Sequence, residues 1–581
     1  MHRERIYNTY FVLSLLETVW GMLFCVYILL PNYALGSFIY LNQSNLMFQS
    51  LIGCCIWLFI IVLRKLENNE EEITVTLTDF VIFGILLFLL LRGIYDNTEL
   101  GFLLKISVSG IVYLCFRNVP RKYLLYYIGV FVLTGIIQVI YSICNQYDDF
   151  LWYEKFSRIH GSFMNTSVWG FFLSIQCILL IGVRNRFIHK KVFSFCLLLF
   201  IFFFLSLLIL SQSRTGMLVI LLIGSIYILN KKNLLFIKNK WIVGILLTIA
   251  GGFVLNEMYN NKKDSTNGRL LIWRVSYEMI KDAPFLGHGT EGFYKKYMLY
   301  QCEFLKKNEN KEYVQLVDDN RFAFNEYLKV LVEYGIVGGV LFLISLLIIL
   351  LCSIDWKSLH SRLCFLCLLA YGISSFFSYP FFLWQFVFLF LFFVAGSNIN
   401  NKKLQWHMPM KILCCLVITF CSFLILFFKP YNCKIKIWKD IIYSTANMKT
   451  KVNLLLELSP ALDDTPDFLL DLGKRLSKIN QIEKSESVLV KSYMLFPNYE
   501  TALYLGKVYG CGGKIQESEL YLRIANNMIP HRIFPHFLLF CLYRDNGLTV
   551  AAKEEAEIIR QLSLKVYPAQ MNTILREING Y

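Results

Sequence analysis

The stretch FSFCLLLFIFFFLSLLILSQSRTGMLVILLIGSIYILN, residues 193–230, decides how this chain folds. Its 38 residues are almost wholly apolar, and the main interruption is SQSRTG at 211–216. As one helix it would extend about 57 Å, nearly twice the roughly 30 Å hydrocarbon core of a bilayer. The basic clusters RNRFIHKK and KKNLLFIKNK flank it, and such clusters lie preferentially in the cytoplasm. We therefore predict a membrane hairpin that turns at 211–216 on the outer face.

The composition of the whole chain is that of a protein that crosses the bilayer many times. Of its 581 residues, 56% are hydrophobic and 17% are charged, whereas soluble domains carry about 25% charged residues. These values exclude a soluble globular, disordered or fibrous protein. Most of the 17 cysteines lie in apolar segments, where Cys behaves as a small hydrophobic residue. Neither a disulfide scaffold nor a metal site is predicted from them.

Thirteen apolar segments are predicted to cross the membrane as helices, which makes the fold class all-α. Together they form a predicted membrane domain, residues 1–428. The last hairpin of this domain, around Pro380, also fits a re-entrant segment. The thirteen segments are 9–31, 46–63, 78–92, 99–116, 124–144, 166–183, 193–212, 215–230, 241–256, 335–354, 363–379, 381–396 and 412–428.

The distribution of Lys and Arg over the loops predicts the orientation of the chain. Twenty of these residues lie on the side of the N-terminus and only four in the short segments of the other side. The N-terminus is therefore expected in the cytoplasm, and the large loop 257–334 and the C-terminal region are expected outside. The net charge of +16 follows this topology, so no nucleic-acid partner is predicted.

The composition changes near residue 430, where a predicted linker, 429–465, leads to a helical region, 466–562, and a tail, 563–581. Prolines recur in the helical region at intervals of about 33 residues, and Leu-Gly recurs with them. Three helices (467–478, 500–511 and 532–544) are each predicted to pair with a second helix (481–495, 514–529 and 548–562). The pattern resembles tetratricopeptide repeats, which stack to bury their apolar faces. Two interpretations stay open: a docking surface for a partner or acceptor, and a helical cap that stabilises the membrane domain.

Arg214 is the only charged residue of the hairpin, and it follows Ser213 in the predicted outer turn. A guanidinium group at the membrane surface can bind a lipid-linked phosphate through two parallel hydrogen bonds. The alternative is an arginine that only anchors the turn at the water boundary.

The large loop begins with a predicted amphipathic helix, 269–281, that carries Arg269 and Arg274. Pro284 ends this helix, and His288 lies in the glycine-rich turn that follows. The helix is suited to lie on the membrane surface. Its predicted apolar stripe consists of Leu270, Trp273, Tyr277 and Ile280.

Two further polar segments adjoin predicted spans on the outer side. Asn325, Glu326 and Glu333 precede the tenth span, and a carboxylate beside an apolar segment can gain the raised pKa that suits a general base. For Glu326 the alternative is a solvated helix start. His160 and Asn165 form a polar turn before the sixth span. Taken singly, each can have a structural role as well as a role in a functional site.

Motifs of several enzyme and transporter classes do not occur in the sequence. There is no GxxxxGK[ST] phosphate loop, no HExxH, no Asp-x-Asp and no Cys/His cluster, so no metal or other cofactor is predicted. Apart from Lys105, few charges lie in mid-span, which argues against an ion-coupled transporter.

Four segments, in this order, resemble the O-antigen ligase and polymerase family of bacterial inner-membrane glycosyltransferases. The resemblance covers roughly 150–395, the family-like core of the membrane domain. The segments are G-x-F-x-N at 161–165, S-R-x-G at 213–216, an R-x(4)-R helix followed by DAPFLGHG at 282–289, and NEYL-x(4)-EYG at 325–335.

This resemblance implies a metal-independent enzyme of the bacterial inner membrane that uses outer-face arginines to hold an undecaprenyl-diphosphate-linked glycan and passes it to an acceptor hydroxyl. Arg214, Arg269 and Arg274 are then expected to bind the donor pyrophosphate in one periplasmic pocket. Glu326 or His288 is expected to accept the proton, with Asn325 beside the reaction, in an inverting transfer. The residues expected to support this site are His160, Asn165, Ser213, Arg321 and Glu333.

The sequence departs from the family at one position. The family often has His directly before the Asn of its last motif, and this chain has Phe324 there. A catalytic His therefore cannot be assigned to this position, and the identity of the base stays open.

Several functions remain compatible with the same residues. The acceptor can be a lipid A-core, a growing polysaccharide or a protein, and the repeats mildly favour a protein partner or acceptor. A non-enzymatic alternative is a transporter of lipid-linked glycans, which predicts charges along a central cavity and inverted repeats. Another is a membrane-anchored scaffold whose only active part is 466–562.

Overall fold

The computed structural model of the chain describes residues 2–30, 39–68, 72–152, 161–163, 165–230, 252, 263–307, 313–356, 358–397, 403–407, 409–565, 568 and 570–580. The described part is almost entirely helical, in agreement with the predicted fold class. The predicted span 241–256, apart from Gly252, lies outside the described residues.

The helices and strands are numbered here in chain order. The two strands are β1 (Glu72–Thr76) and β2 (Lys403–His407). The helices are α1 (His2–Leu29), α2 (Ile39–Glu67), α3 (Leu77–Tyr95), α4 (Leu100–Arg117), α5 (Leu124–Trp152), α6 (Thr166–Arg186), α7 (Lys191–Leu210), α8 (Arg214–Asn230), α9 (Lys263–Asp282), α10 (Gly292–Lys306), α11 (Glu326–Ser353), α12 (Leu359–Ser374), α13 (Trp384–Ser397), α14 (Met410–Tyr443), α15 (Met448–Leu458), α16 (Pro466–Lys478), α17 (Ile482–Leu495), α18 (Tyr499–Cys511), α19 (Ile515–Met528), α20 (Ile533–Asp545), α21 (Thr549–Gln561) and α22 (Met571–Asn579).

Nine helices in the described part of the chain are long and apolar enough to cross a membrane: α1–α7, α11 and α14. Three shorter apolar helices, α8, α12 and α13, accompany them. These twelve helices coincide with twelve of the thirteen predicted spans, so the prediction of a multi-pass membrane protein is confirmed.

The chain divides into two compact units. The first consists of Met1–Lys262, Phe324–Tyr327 and Gly339–Asn432. The second consists of Lys263–Ala323, Leu328–Gly338 and Cys433–Tyr581.

Helix α6 is the best-buried span of the first unit, since 83% of its most apolar stretch is buried inside the protein. Helices α5, α7, α8 and α12 pack around it. Aromatic rings fill the neighbouring core: Trp57 of α2 stacks on Tyr127 of α5 at 5.9 Å, and Phe116 meets Phe388 edge-on at 4.9 Å.

Arg64 and Arg117, two of the cations counted on the cytoplasmic side, lie in the last turns of α2 and α4. Arg64 of α2 pairs with Glu17 at 2.5 Å, and both side chains are buried. Arg117 of α4 pairs with Asp79 at 3.0 Å. An unpaired charge that is removed from water would be costly, and each of these ion pairs avoids that cost.

The strand pair was not predicted. β1 and β2 are antiparallel, with Glu72 opposite His407 and Thr76 opposite Lys403. Charge distribution assigns both loops to the cytoplasmic side, and the pairing agrees with that part of the predicted topology.

The helical region of the second unit repeats with the predicted period. Its three hairpins, α16–α17, α18–α19 and α20–α21, begin and end within a few residues of the predicted helices. The Ser485 hydroxyl donates to the Gly473 carbonyl at 2.8 Å, and 33 residues later Ser518 donates to Gly506 at 2.7 Å. The predicted linker contains the end of α14 and all of α15.

Candidate functional site

Arg214 is the first residue of α8 and directly follows a tight turn. Gln212 in this turn has a positive φ of 50°, and the Ser213 hydroxyl caps α8 by accepting from the Gly216 N–H at 3.3 Å. The hairpin predicted at 211–216 is therefore confirmed as two helices, α7 and α8. Ser213 is buried and acts as a cap, whereas Arg214 is only half-buried.

Helices α6 and α8 run in the same direction and begin side by side. Near their starts, the hydroxyls of Ser167 and Thr215 are 2.9 Å apart. Near their ends, Asn185 donates to the Tyr227 hydroxyl at 2.6 Å. Each helix N-terminus carries about half a positive charge, so this end of the pair has a positive potential, which Arg214 increases.

Asn165 ends the polar turn before α6 and acts as its N-cap. Its side-chain oxygen accepts from the N–H groups of Ser167 at 2.8 Å and Val168 at 3.3 Å. This contact explains Asn165 as a supporting residue that fixes the start of α6. His160, the other predicted residue of this turn, lies outside the described residues.

Glu326 begins α11 and is only 5% exposed. Its N–H donates to the Ser375 carbonyl at 2.8 Å, and its Oε1 accepts from the Phe381 N–H at 3.3 Å. The alternative of a solvated helix start is therefore wrong. The reason is that the turn around Pro380 covers the carboxylate.

Lys105 is a further residue of this site that sequence reasoning did not find. Its Nζ donates to the carbonyls of Phe381 at 2.6 Å and Phe382 at 3.1 Å. The same turn is thus held by a carboxylate at one N–H and by an ammonium at two carbonyls. The only signal in the sequence was a lone charge within a span.

Phe324, at the position of the family's His, has a left-handed backbone with φ 51°. Its ring meets Tyr379 edge-on at 5.4 Å. This conformation costs an L-residue roughly 1–2 kcal/mol, and such strain is concentrated at functional sites. Asn325, the next residue, is half-buried beside Glu326 in the chain.

The predicted amphipathic helix of the large loop corresponds to α9. Its predicted stripe is partly open, since Leu270 is 46% and Tyr277 is 57% exposed. The helix packs through a neighbouring face, so the stripe remains available for the membrane surface that we predicted for it. The residues of the packed face are Leu271, Ile272, Val275, Ser276 and Met279.

Arg269 and Arg274 lie about 140° apart around α9, since five residues correspond to about 500° of helical rotation. Arg269 is half-buried. Arg274 is exposed, donates to the Tyr313 hydroxyl and lies 5.1 Å from the centre of that ring. The two guanidinium groups therefore start from different faces of the helix, and the Tyr313 contact was not predicted from the sequence.

His288 connects α9 with α10. Its Nε2 donates to the Met279 carbonyl at 2.8 Å, and its Nδ1 accepts from Lys296 at 3.4 Å. Burial lowers the pKa of His288; the Met279 carbonyl opposes this shift and the Lys296 ammonium adds to it. The imidazole is therefore neutral at pH 7, and both of its nitrogens have partners.

The lowered pKa of His288 predicts a stability that depends on pH. Between the folded pKa and the ordinary value near 6.5, the unfolded state binds the proton more readily, so stability falls as pH falls through this window. In His288→Gln, which keeps a donor for Met279, thermal unfolding curves between pH 7.5 and 5 should show a smaller loss than in the wild type. An equal loss in both proteins would contradict this role of His288.

The glycine-rich turn is fixed by hydrogen bonds to the last motif. The N–H of His288 donates to Val332 and that of Gly289 to Glu333, both at 2.9 Å. Gly287 has φ 66°, and a side chain there would overlap the Glu333 backbone. The motif at 282–289 thus meets residues 332 and 333 of the last motif within the second unit. The Glu333 side chain is buried, which suits the supporting role predicted for it.

Arg321 makes contacts that sequence reasoning did not predict. Its guanidinium forms two hydrogen bonds of 3.2 Å with Asp467 at the start of α16. It also lies over the rings of Tyr294 and Phe496, at 5.7 and 5.4 Å. These contacts make Arg321 a connector between the large loop and the helical repeats.

The two units divide the predicted site residues between them. The first contains Asn165, Ser213, Arg214, Asn325 and Glu326, and the second contains the others that the structure describes: Arg269, Arg274, His288, Arg321 and Glu333. The pocket expected to unite Arg214 with α9 therefore stays a prediction. The described residues contain no group of three or more His, Cys, Asp or Glu side chains that could hold a metal ion.

Comparison with known protein families finds a similarity over part of the chain. No curated protein matches the chain. Residues 197–343 match the O-antigen ligase family, Wzy_C. This range contains Arg214 and the motifs at 282–289 and 325–335, whereas the turn at 161–165 precedes it. The similarity to the O-antigen ligase family at 197–343, within a multi-pass membrane protein, supports a ligase-like membrane glycosyltransferase at this level of detail.

Proposed function

We propose that the protein transfers an undecaprenyl-diphosphate-linked glycan to an acceptor hydroxyl at the periplasmic face of the bacterial inner membrane. The proposal rests mainly on Arg214, which stands at the N-terminus of α8 inside the matched range and beside the N-terminus of α6. Helix N-termini and guanidinium groups both bind phosphate oxygens. A pyrophosphate is the anionic group of such a donor.

Arg214, Arg269 and Arg274 bind the donor pyrophosphate in this proposal. Their charges hold the anomeric carbon in place and stabilise the negative charge that grows on the leaving group. Arginine suits this role without a metal because it stays protonated and holds two oxygens at once. The acceptor oxygen attacks opposite the leaving group, so the anomeric configuration inverts.

Glu326 is the better candidate for the base. Its Oε1 accepts a hydrogen bond from Phe381, and its second oxygen has no hydrogen-bond partner within the described part of the protein. His288, by contrast, uses both ring nitrogens. We therefore assign proton acceptance from the acceptor hydroxyl to Glu326, and orientation of the loop to His288. Asn325 stands beside the base.

Replacing Glu326 with Gln is expected to lower kcat by about a hundredfold or more, as is typical for loss of a general base. The variant keeps the acceptor for the Phe381 N–H, so the fold of the turn should survive. His288→Gln should retain kcat within a few-fold. Transfer from a lipid-linked glycan in proteoliposomes measures both. A larger loss in His288→Gln than in Glu326→Gln would reverse the assignment.

The remaining parts of the chain support narrower proposals. We assign residues 1–428 to the membrane domain, 429–465 to the linker, 466–562 to tetratricopeptide-like repeats and 563–581 to the tail. The repeat of the Ser485 and Ser518 contacts at 33 residues supports this assignment. The acceptor is a lipid A-core, a growing glycan or a protein, and the donor approaches from the lipid bilayer.

A deletion strain tests the function as a whole. Loss of lipopolysaccharide ladders, of a polysaccharide, or of glycosylated proteins would each support transfer and identify the acceptor class. Loss of a product together with accumulation of donor on the cytoplasmic side would instead favour the transporter, and unchanged levels of all three products would reject the proposed transfer. If an unrelated membrane anchor can replace residues 1–428 without loss, the protein is a scaffold.

A further inference from the structure

The helical repeats hold one segment of the large loop, residues 313–321, by three polar contacts. His531 is buried, and its Nε2 donates to the Val317 carbonyl at 2.9 Å. Arg532 forms an ion pair with Asp318 at 2.9 Å. The Arg321–Asp467 pair described above closes the far end of the segment.

Helix α10 adds a second attachment to the same repeats. The Gln301 side chain donates to the Met528 carbonyl at 2.9 Å and to the Asp318 carbonyl at 3.2 Å. Gln301 thus joins α10, the held segment and the end of α19 through a single amide. The ring of Tyr294 stacks on Phe496 at 3.9 Å. These contacts lie inside the second unit, and two of them, Gln301–Met528 and Tyr294–Phe496, join residues more than 200 positions apart in sequence.

The held segment begins with Tyr313, the partner of Arg274. The Tyr313 hydroxyl accepts from the Arg274 guanidinium, and its ring lies beneath the same group. A displacement of 313–321 would therefore remove the Tyr313 contacts that hold the exposed Arg274 side chain. The repeats thus connect to Arg274 indirectly. They contact residues 317–321, and Tyr313 at the start of the same segment contacts Arg274.

We infer that the C-terminal repeats are an internal positioning element, which holds residues 313–321 and thereby fixes the Arg274 guanidinium for donor binding. Arg321 and Asp467 are positioning residues in this inference, since they act through Tyr313 and Arg274. The inference rests on the proposed role of Arg274. It assigns to the repeats a task inside the enzyme, in place of either the external docking surface or the cap on the membrane domain.

Charge reversal at the Arg321–Asp467 pair tests this inference in the full-length protein. Asp467→Arg and Arg321→Asp should each raise the KM for the lipid-linked donor at least fivefold, with kcat within about twofold of the wild type. The double variant restores an ion pair and should recover most of the donor KM. A defect confined to folding would lower the amount of active enzyme and leave KM unchanged.

A matched pair on the same repeats serves as the control. Lys514 pairs with Glu486 at 2.6 Å. Within the described part of the chain, neither residue forms a hydrogen bond or an ion pair with 313–321. Reversal of this pair should leave the donor KM unchanged. The inference is overturned if the single variants at Arg321 and Asp467 leave KM unchanged, or if the control pair raises it equally.

Hydrogen exchange separates this inference from the proposed function. Asp467→Arg should increase amide exchange at 313–321, whatever reaction the protein performs. Unchanged exchange would overturn the inference even if transfer were established. Faster exchange together with a normal donor KM in Arg274→Ala would instead refute the role of Arg274, and with it the functional half of the inference.

Discussion

Replacing Arg214 with Ala is expected to lower glycan transfer by about ten- to a hundredfold. A charge-assisted hydrogen bond contributes about 1.5–3 kcal/mol, and each 1.36 kcal/mol of transition-state stabilisation corresponds to a tenfold change in rate. Arg214→Lys should recover only part of the rate, because an ammonium group cannot hold two phosphate oxygens in one plane. The measurement is transfer from a lipid-linked glycan in proteoliposomes, at matched protein insertion.

A second arginine provides the control for this experiment. Arg92, at the end of α3, is one of the four cations that the charge distribution assigns to the outer side, and it pairs with Asp96 at 3.0 Å. Arg92→Ala should therefore keep nearly full transfer activity. Full activity of Arg214→Ala with normal membrane insertion would reject the proposed donor site.

Replacing Gly335 with Ala is expected to disrupt the large loop and abolish most activity. Gly335 has φ 64°, and a side chain there would overlap the Phe285 carbonyl oxygen. The adjacent Ile336 N–H donates to Pro284 at 2.8 Å, so relief of the overlap requires loss of this contact. With ψ at −165°, an L-residue at this position would carry backbone strain on the order of 1–3 kcal/mol, and the overlap adds to it. Thermal unfolding and hydrogen exchange at 283–292 measure the effect.

Substitution of Gly513 provides a control that distinguishes the cost of backbone strain from the cost of steric overlap. It has a similar φ of 74°, but a side chain there would meet no atom within 4 Å. Gly513→Ala should therefore show the strain cost alone and leave exchange at 283–292 unchanged. Equal destabilisation by the two substitutions would mean that the contact between Phe285 and Gly335 contributes little.

Features with a local cause were predictable from the sequence. The hairpin at 211–216 followed from the length of its apolar run and the basic residues on both sides. The repeat helices followed from the recurrence of Pro and Leu-Gly, and they begin and end close to the predicted residues. In both cases the pattern and the structure depend on the same neighbouring residues.

Features that depend on distant residues were not predictable. The burial of Glu326 depends on a turn 55 residues later, and the partner of Arg321 lies 146 residues away. The packed face of α9 was also missed. This helix has apolar residues on two faces, and periodicity alone cannot tell which one meets protein.

The β1–β2 pair restricts how the chain can be threaded through the bilayer. Hydrogen-bonded strands cannot have a membrane between them, so residues 76 and 403 must share one compartment. The polypeptide between them consequently makes an even number of passages. This parity holds for either direction of insertion, and it holds whether or not the segment around Pro380 is re-entrant.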